Sequence, residues 1–99
     1  MNSSFHIKEK ATEDLDEIWL YTFQKWSQSQ ADKYYWLLIE GIEFVASHFE
    51  AGKSIDDIKL GYRSFPVESH LIFYKQAEDK MIEIVRILHQ SVDIKKHLI

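Results

Sequence analysis

The chain has no cysteine. That excludes a disulfide framework, a thiolate nucleophile and any cysteine-based zinc site, and it suits a reducing cytosol. With one proline and three glycines in 99 residues, the elements should be few and long. No apolar run approaches the roughly 20 residues that span a bilayer. Met1–His6 shows no basic segment followed by an apolar one, so neither a membrane anchor nor a signal peptide is expected. The sequence contains no phosphate-binding glycine loop and no Gly-x-Ser-x-Gly, and its five histidines include no pair at metal-ligand spacing on one element. No metal and no cofactor are therefore expected. Positive charge is also scarce: 12 basic against 16 acidic residues give a net charge of −4. A protein that grips many phosphates should be basic, so no direct specific binding of nucleic acid is expected. What remains is ordinary globular composition, 45% hydrophobic and 28% charged, in a length that suits one domain, 1–99, with a single core.

Periodicity orders the elements. Phe5–Lys8 reads as a short strand with Phe5 and Ile7 on one face. Thr12 reads as a helix N-cap, with Glu13 and Asp14 in the first turn where the helix dipole favours negative charge. Ala11, Leu15, Ile18, Trp19, Thr22 and Trp26 form one apolar stripe. Ser27 and Gln30 predict a capping box for a second helix, whose stripe is Ala31, Tyr35, Leu38, Ile42, Val45 and Phe49. The short link between the helices implies an antiparallel hairpin, and Gly41 should allow the first helix to come close. Beyond Gly52, the segments Ile58–Phe65, Ser69–Lys75 and Met81–His89 read as strands, the last one central because both its faces are apolar. Asp93–Leu98 reads as a closing turn or short helix. The expected class is α+β: β-α-α-β-β-β with a short C-terminal helix, a helical hairpin packed on a mainly antiparallel four-stranded sheet.

Three features could carry function. Asp56-Asp57 is a carboxylate pair, a pattern that more often solvates a loop. Arg63 and Arg86 lie in strand segments, and a guanidinium there needs a partner because it cannot shed its charge. The partner is either an anion or protein carboxylate outside the chain, or an internal acid such as Glu83, Glu68 or the chain terminus. Strand period places Arg86 and His89 on opposite faces, which argues against their acting as one acid/base unit. Finally, Trp36 falls among Lys33, Glu40, Glu43 and Ser47, while Leu20 and Phe23 leave the stripe of the first helix. Phe44 and Leu37 widen the apolar arc of the second. Large apolar residues grouped outside the core point to a partner-binding patch.

Gly52-Lys53-Ser54-Ile55-Asp56-Asp57-Ile58, Gly61-Tyr62-Arg63-Ser64-Phe65, Ser69-His70-Leu71-Ile72-Phe73-Tyr74 and Val85-Arg86-Ile87-Leu88-His89-Gln90, with Asp93 and His97-Leu98, resemble the ParE toxins of the RelE/ParE superfamily. Ile18-Trp19-Leu20-Tyr21-Thr22, Trp26 and Gln30-Ala31 fit the same family, so the resemblance covers nearly the whole chain. It implies the fold just described and a cytoplasmic toxin of a type II toxin–antitoxin pair, of the kind associated with plasmid stabilisation. The implied partner is a ParD-like antitoxin in a hetero-oligomer. The implied target is DNA gyrase, trapped in its cleaved-DNA state, with no bond chemistry by the toxin and hence no catalytic residue. Arg63, Arg86, His89, Asp93 and His97 are the candidate target contacts. Leu20, Phe23 and Trp36 are the candidate antitoxin contacts, with strand pairing at a sheet edge. The RelE branch, which cuts mRNA on the ribosome, is the alternative, and a module that only binds antitoxin is a third. Lys53 and Lys59 are not the paired lysines that the RelE branch uses, and the net negative charge opposes it.

Overall fold

The computed structural model describes residues 5–98. Residues 1–4, on which the leader expectation partly rests, and the chain terminus, one of the acids considered for Arg86, lie outside it. The elements are β1 (Phe5–Ile7), α1 (Glu9–Lys25), α2 (Gln28–Ser47), a 3-10 turn (Phe49–Ala51), β2 (Lys53–Ser54), β3 (Tyr62–Val67), β4 (His70–Gln76), β5 (Ile82–His89) and α3 (Ile94–Leu98). They form a five-stranded sheet in the order β1-β5-β4-β3-β2. β1 runs parallel to β5, and every other pair is antiparallel. The α+β class and the helical hairpin are as expected. The fifth strand is the two-residue β2, too short to leave a period-two signal.

The N-cap of α1 is Lys8, four residues before the expected Thr12. β1 feeds straight into the helix, Lys8 donates its amide to Ile84 O, and Thr12 N already bonds to Lys8 O. Thr12 is thus inside the helix, and strand pairing rather than a side chain sets its start. The Ser27 cap does form: its Oγ accepts from Gln30 N at 3.1 Å. Of the two stripes, Ala11, Leu15, Ala31, Leu38, Ile42 and Val45 are buried. Trp26 departs from its stripe and stands 70% exposed, because it is the C-cap residue of α1 and its backbone has left the helical path.

The hairpin covers one sheet face through Ile72, Tyr74, Ile82, Ile84 and Ile87. The other face carries a smaller cluster, Ile55, Phe73, Leu88 and Leu98, closed by α3 and the β2–β3 loop. Gly41 serves the sheet rather than α1: a Cβ there would meet Val67 Cγ2 at 2.6 Å and Ile72 Cδ1 at 3.0 Å. Two strand bounds also move. Residues 58–60 belong to the loop before β3, where Asp56 Oδ1 accepts from Gly61 N at 2.8 Å. That bond gives Asp56 a part in closing the loop. Pro66 and Val67 lie in β3, because the β3–β4 turn is only Glu68-Ser69, with Glu68 at φ 53°.

The buried Tyr74 fastens β2 to the core. Its hydroxyl donates to Phe49 O at 2.6 Å and accepts from Gly52 N at 2.8 Å. Burial raises its pKa, against the Gly52 bond and the nearby Arg63 charge. A Cβ on Gly52 would fall on the phenol ring and its oxygen. Gly52→Ala is therefore expected to cost about 3 kcal/mol, from overpacking and disturbance of both bonds. Urea unfolding checks this, and pairing it with Tyr74→Phe in a double-mutant cycle should give a non-additive result.

Candidate functional site

β1 ends at Ile7, opposite Ile84. β5 continues to His89, so its last residues have no strand on that side. α1 crosses there, and Asp14 takes the place of a strand. Its Oδ2 accepts from Ile87 N at 3.0 Å and from Arg86 Nε at 2.8 Å, and its Oδ1 accepts from Arg86 Nη2 at 2.9 Å. Arg86 thus pairs with Asp14, not with Glu83 or Glu68; Glu83 instead pairs with Lys75 at 3.6 Å. The Arg86 and Asp14 side chains are only 16% and 10% exposed. The Asp14 bond raises the arginine pKa further, against the opposing effect of burial. The sequence held a signal for this: Asp14 falls on the Ala11–Leu15–Ile18 face, where a carboxylate needs a buried partner.

Beyond this pair, between the C-terminal half of α1 and the end of β5, lies an open cleft of about 610 Å³. Arg86, His89 and His97 all line it, along with Tyr21, Trp26 and His70. Register accounts for the company of Arg86 and His89. Phe73 pairs with Arg86 but Tyr74 with Ile84, which makes Val85 a bulge. The two residues still alternate by strand period, and they share the cleft because Arg86 bends over the strand edge to Asp14. The other two candidates for target contact are elsewhere. Asp93 caps α3, its Oδ1 accepting from Lys95 N at 3.1 Å. Arg63 is cross-strand from Tyr74 on the helix-covered face, where it donates to Gly52 O at 2.6 Å and lies over the Phe49 ring.

His70 and His89 are cross-strand neighbours with ring centroids 5.3 Å apart. The hydroxyl of Tyr34, on α2, shares a hydrogen bond with His70 Nδ1 at 2.6 Å. Ser91 N donates to His89 Nδ1 at 3.1 Å, so neutral His89 carries its proton on Nε2. Burial, reinforced by His89 and opposed by Asp14, lowers the His70 pKa from 6.5 to about 4. The fold therefore prefers neutral His70. The stability this contributes is complete above pH 6.5 and drains away as pH falls toward 4. The wild type should lose more than His70→Gln between pH 7 and pH 5, by about 1 kcal/mol once solvent screening of the half-buried ring is allowed for, measured by urea unfolding at each pH.

The second candidate surface is the outer face of the hairpin. Leu20, Phe23 and Trp36 are 49%, 43% and 60% exposed. Phe23 stacks on Trp19 at 5.2 Å, and Trp19 Nε1 donates to Asp32 Oδ1 across the two helices at 2.9 Å. A shallow cleft beside Trp36 is rimmed by Asp16 and Asp32. Tyr21 and Trp26, 60% and 70% exposed, extend exposed aromatic surface around α1 to the first cleft. Sequence reasoning singled out neither of them for binding, since Trp26 read as core.

A known family described as "ParE toxin of type II toxin-antitoxin system, parDE" matches residues 5–94. This chain belongs to the ParE toxin family. Toxin ParE1 of Mycobacterium tuberculosis is 34% identical over 98 residues, 99% of this chain and 100% of that protein. Toxin ParE1 of Caulobacter vibrioides is 36% identical over 94 residues, 95% and 96% of the two chains. A solved structure, "Chromosomal ParDE TA system from P. aeruginosa", shares the fold at a TM-score of 0.75 and 23% identity, over 88% of this chain and 95% of that one. The chain is thus of the toxin type of type II toxin–antitoxin systems, and none of its described helices is long and apolar enough to cross a membrane.

Proposed function

We propose that this ParE-family chain is a cytoplasmic, non-enzymatic toxin that binds DNA gyrase, holds its cleaved-DNA complex, and is neutralised by a ParD-like antitoxin. A ligand shifts an equilibrium only through differential affinity, so it must bind the cleaved state more tightly than the resting one. The observation that carries this reading is the family match over residues 5–94, supported by the electrostatics of the main cleft. Arg86 is already neutralised by Asp14, and Glu17 and Lys25 on the same cleft offset each other, which leaves little net positive charge to seat a phosphate backbone. Target contact is assigned to Arg86, His89 and His97 on that cleft, with Asp93 bracing α3. Arg63, on the same face but two strands away on β3, acts by holding the β2 turn in place. Leu20, Phe23 and Trp36 receive the antitoxin.

One observation favours the mRNA-cleaving alternative: His70, His89 and His97 converge on one cleft with Arg86. A single comparison decides. Purified protein with gyrase, supercoiled plasmid and ATP should yield linear DNA after protease and detergent treatment. Cleavage of ribosome-bound mRNA with plasmid left intact would establish the endonuclease instead. Antitoxin binding without growth arrest on induction would reduce the chain to a binding module.

A further inference from the structure

The shallow cleft on the outer face of the hairpin has a volume of about 480 Å³. Asp16 and Trp19 line it from α1, and Asp32, Tyr35 and Trp36 from α2. Spacings of three and four residues put each set on one face of its helix, and the antiparallel hairpin brings the two sets together. The lining is thus aromatic rings and carboxylates, with no lysine, arginine or histidine among its described residues. Just outside, Lys33 and Glu40 stand one turn to either side of Trp36, so the excess of negative charge persists.

Some of these groups are held and others are free. The Trp19 ring is fixed by its stack on Phe23 and by its Nε1 bond to Asp32 Oδ1 at 2.9 Å. Tyr35 and Trp36 meet edge-on, with 86° between their planes, and the Trp36 ring stays largely exposed. The second oxygen of Asp32 and the whole carboxylate of Asp16 make no hydrogen bond or ion pair among the described residues. Ring faces carry negative potential and the carboxylates carry charge, so the cleft attracts a cation and repels an anion. A compact ammonium would answer mainly to the charge. A planar guanidinium answers to both features, since it stacks on a ring and turns its N–H fork to a carboxylate.

We propose that this cleft is a cation site filled by an arginine side chain of the antitoxin, its guanidinium stacked on an exposed ring face and its N–H fork turned to Asp16. The inference rests on the reading under Proposed function, in which Trp36 receives the antitoxin, and it adds the chemistry of the group received. The occupant follows from charge complementarity: an acidic side chain is repelled, and an apolar one would cover the free carboxylate without pairing it. Leu20 and Phe23 alongside take apolar residues of the same segment, while the charged contact fixes its register.

The test has two arms. In the first, ethylguanidinium, the head of an arginine side chain, is titrated into this chain alone. The Trp19 indole N–H, bonded to Asp32, should shift saturably in NMR spectra. N-ethylurea, of similar shape without the charge, should leave it in place. Asp16→Asn, a change at an exposed residue, should weaken ethylguanidinium binding about fivefold. No saturable shift, or an equal response to the urea, removes the cation site. In the second arm the chain meets a ParD-family antitoxin that neutralises it. Failure to form a complex on gel filtration overturns the antitoxin reading itself. In the complex, Asp16→Asn should weaken binding about tenfold and reduce the salt dependence of Kd. One antitoxin arginine, changed to methionine, should cost much less in the Asp16→Asn chain than in the native one. Lysine in its place should recover only part of the loss. A complex whose affinity ignores Asp16→Asn, or in which Asp16 couples only to uncharged antitoxin residues, overturns the inference and leaves the antitoxin reading standing.

Discussion

Asp14→Ala is expected to destabilise the fold by about 3–5 kcal/mol. The carboxylate accepts three hydrogen bonds, two from Arg86 and one from Ile87 N. Its removal leaves a largely buried guanidinium that cannot deprotonate. It also leaves an amide unmet where β5 has run past the end of β1. The size comes from the charge stranded, more than from the attraction lost. The effect is large against a total stability of about 5–15 kcal/mol for a domain of this kind. Urea unfolding measures it. The double variant Asp14→Ala/Arg86→Met should recover much of the loss, because no charge then remains buried. A cost below about 1 kcal/mol for Asp14→Ala would show that water reaches Arg86 freely, as it does a surface pair.

Trp36→Ala should have the opposite profile: little change in stability and a large change in binding. The ring is 60% exposed and touches Tyr35 edge-on, so the fold loses little without it. A large aromatic at the centre of an interface is the kind of residue whose truncation costs about 2 kcal/mol, or roughly 30-fold in affinity. Calorimetric titration with the antitoxin measures this. Leu20→Ala should have a smaller effect. Phe23→Ala should fall between them, because it also frees the stacked Trp19 ring. Unchanged affinity on Trp36→Ala would falsify the assignment of the outer face.

Most of the framework was legible in local pattern. The two helical stripes, the Ser27 cap and the hairpin each follow from spacing within one segment, where 3.6- and 2-residue periods are set by the backbone. So does the grouping of Leu20, Phe23 and Trp36 outside the core, which needs only the angle between residues on a helix. The last strand, expected to be central, is flanked on both sides only along its first half, and β4 holds the centre of the sheet. The errors have a common cause. Thr12, Gly41 and Trp26 were placed by rules of the isolated helix, and each was overruled by a distant segment or by the path of the chain. The β1–β5 pairing moved the helix start. The sheet, not the neighbouring helix, came to lie against Gly41. The chain turned at Trp26 before the stripe could bury it.

The cleft depended on still longer range. Its anchor joins residues 14 and 86, and nothing local to either names the other, although a carboxylate on an apolar face announced that some partner must exist. The bulge at Val85 and the early end of β1 are properties of pairing between strands. Composition and periodicity therefore determined the class of this protein, its helical hairpin and its exposed aromatic face, because those depend on residues a few positions apart. Only the tertiary structure decided what Arg86 holds, which histidines meet and where a strand edge stays open, because those require segments from about twenty to more than seventy residues apart to be brought into contact.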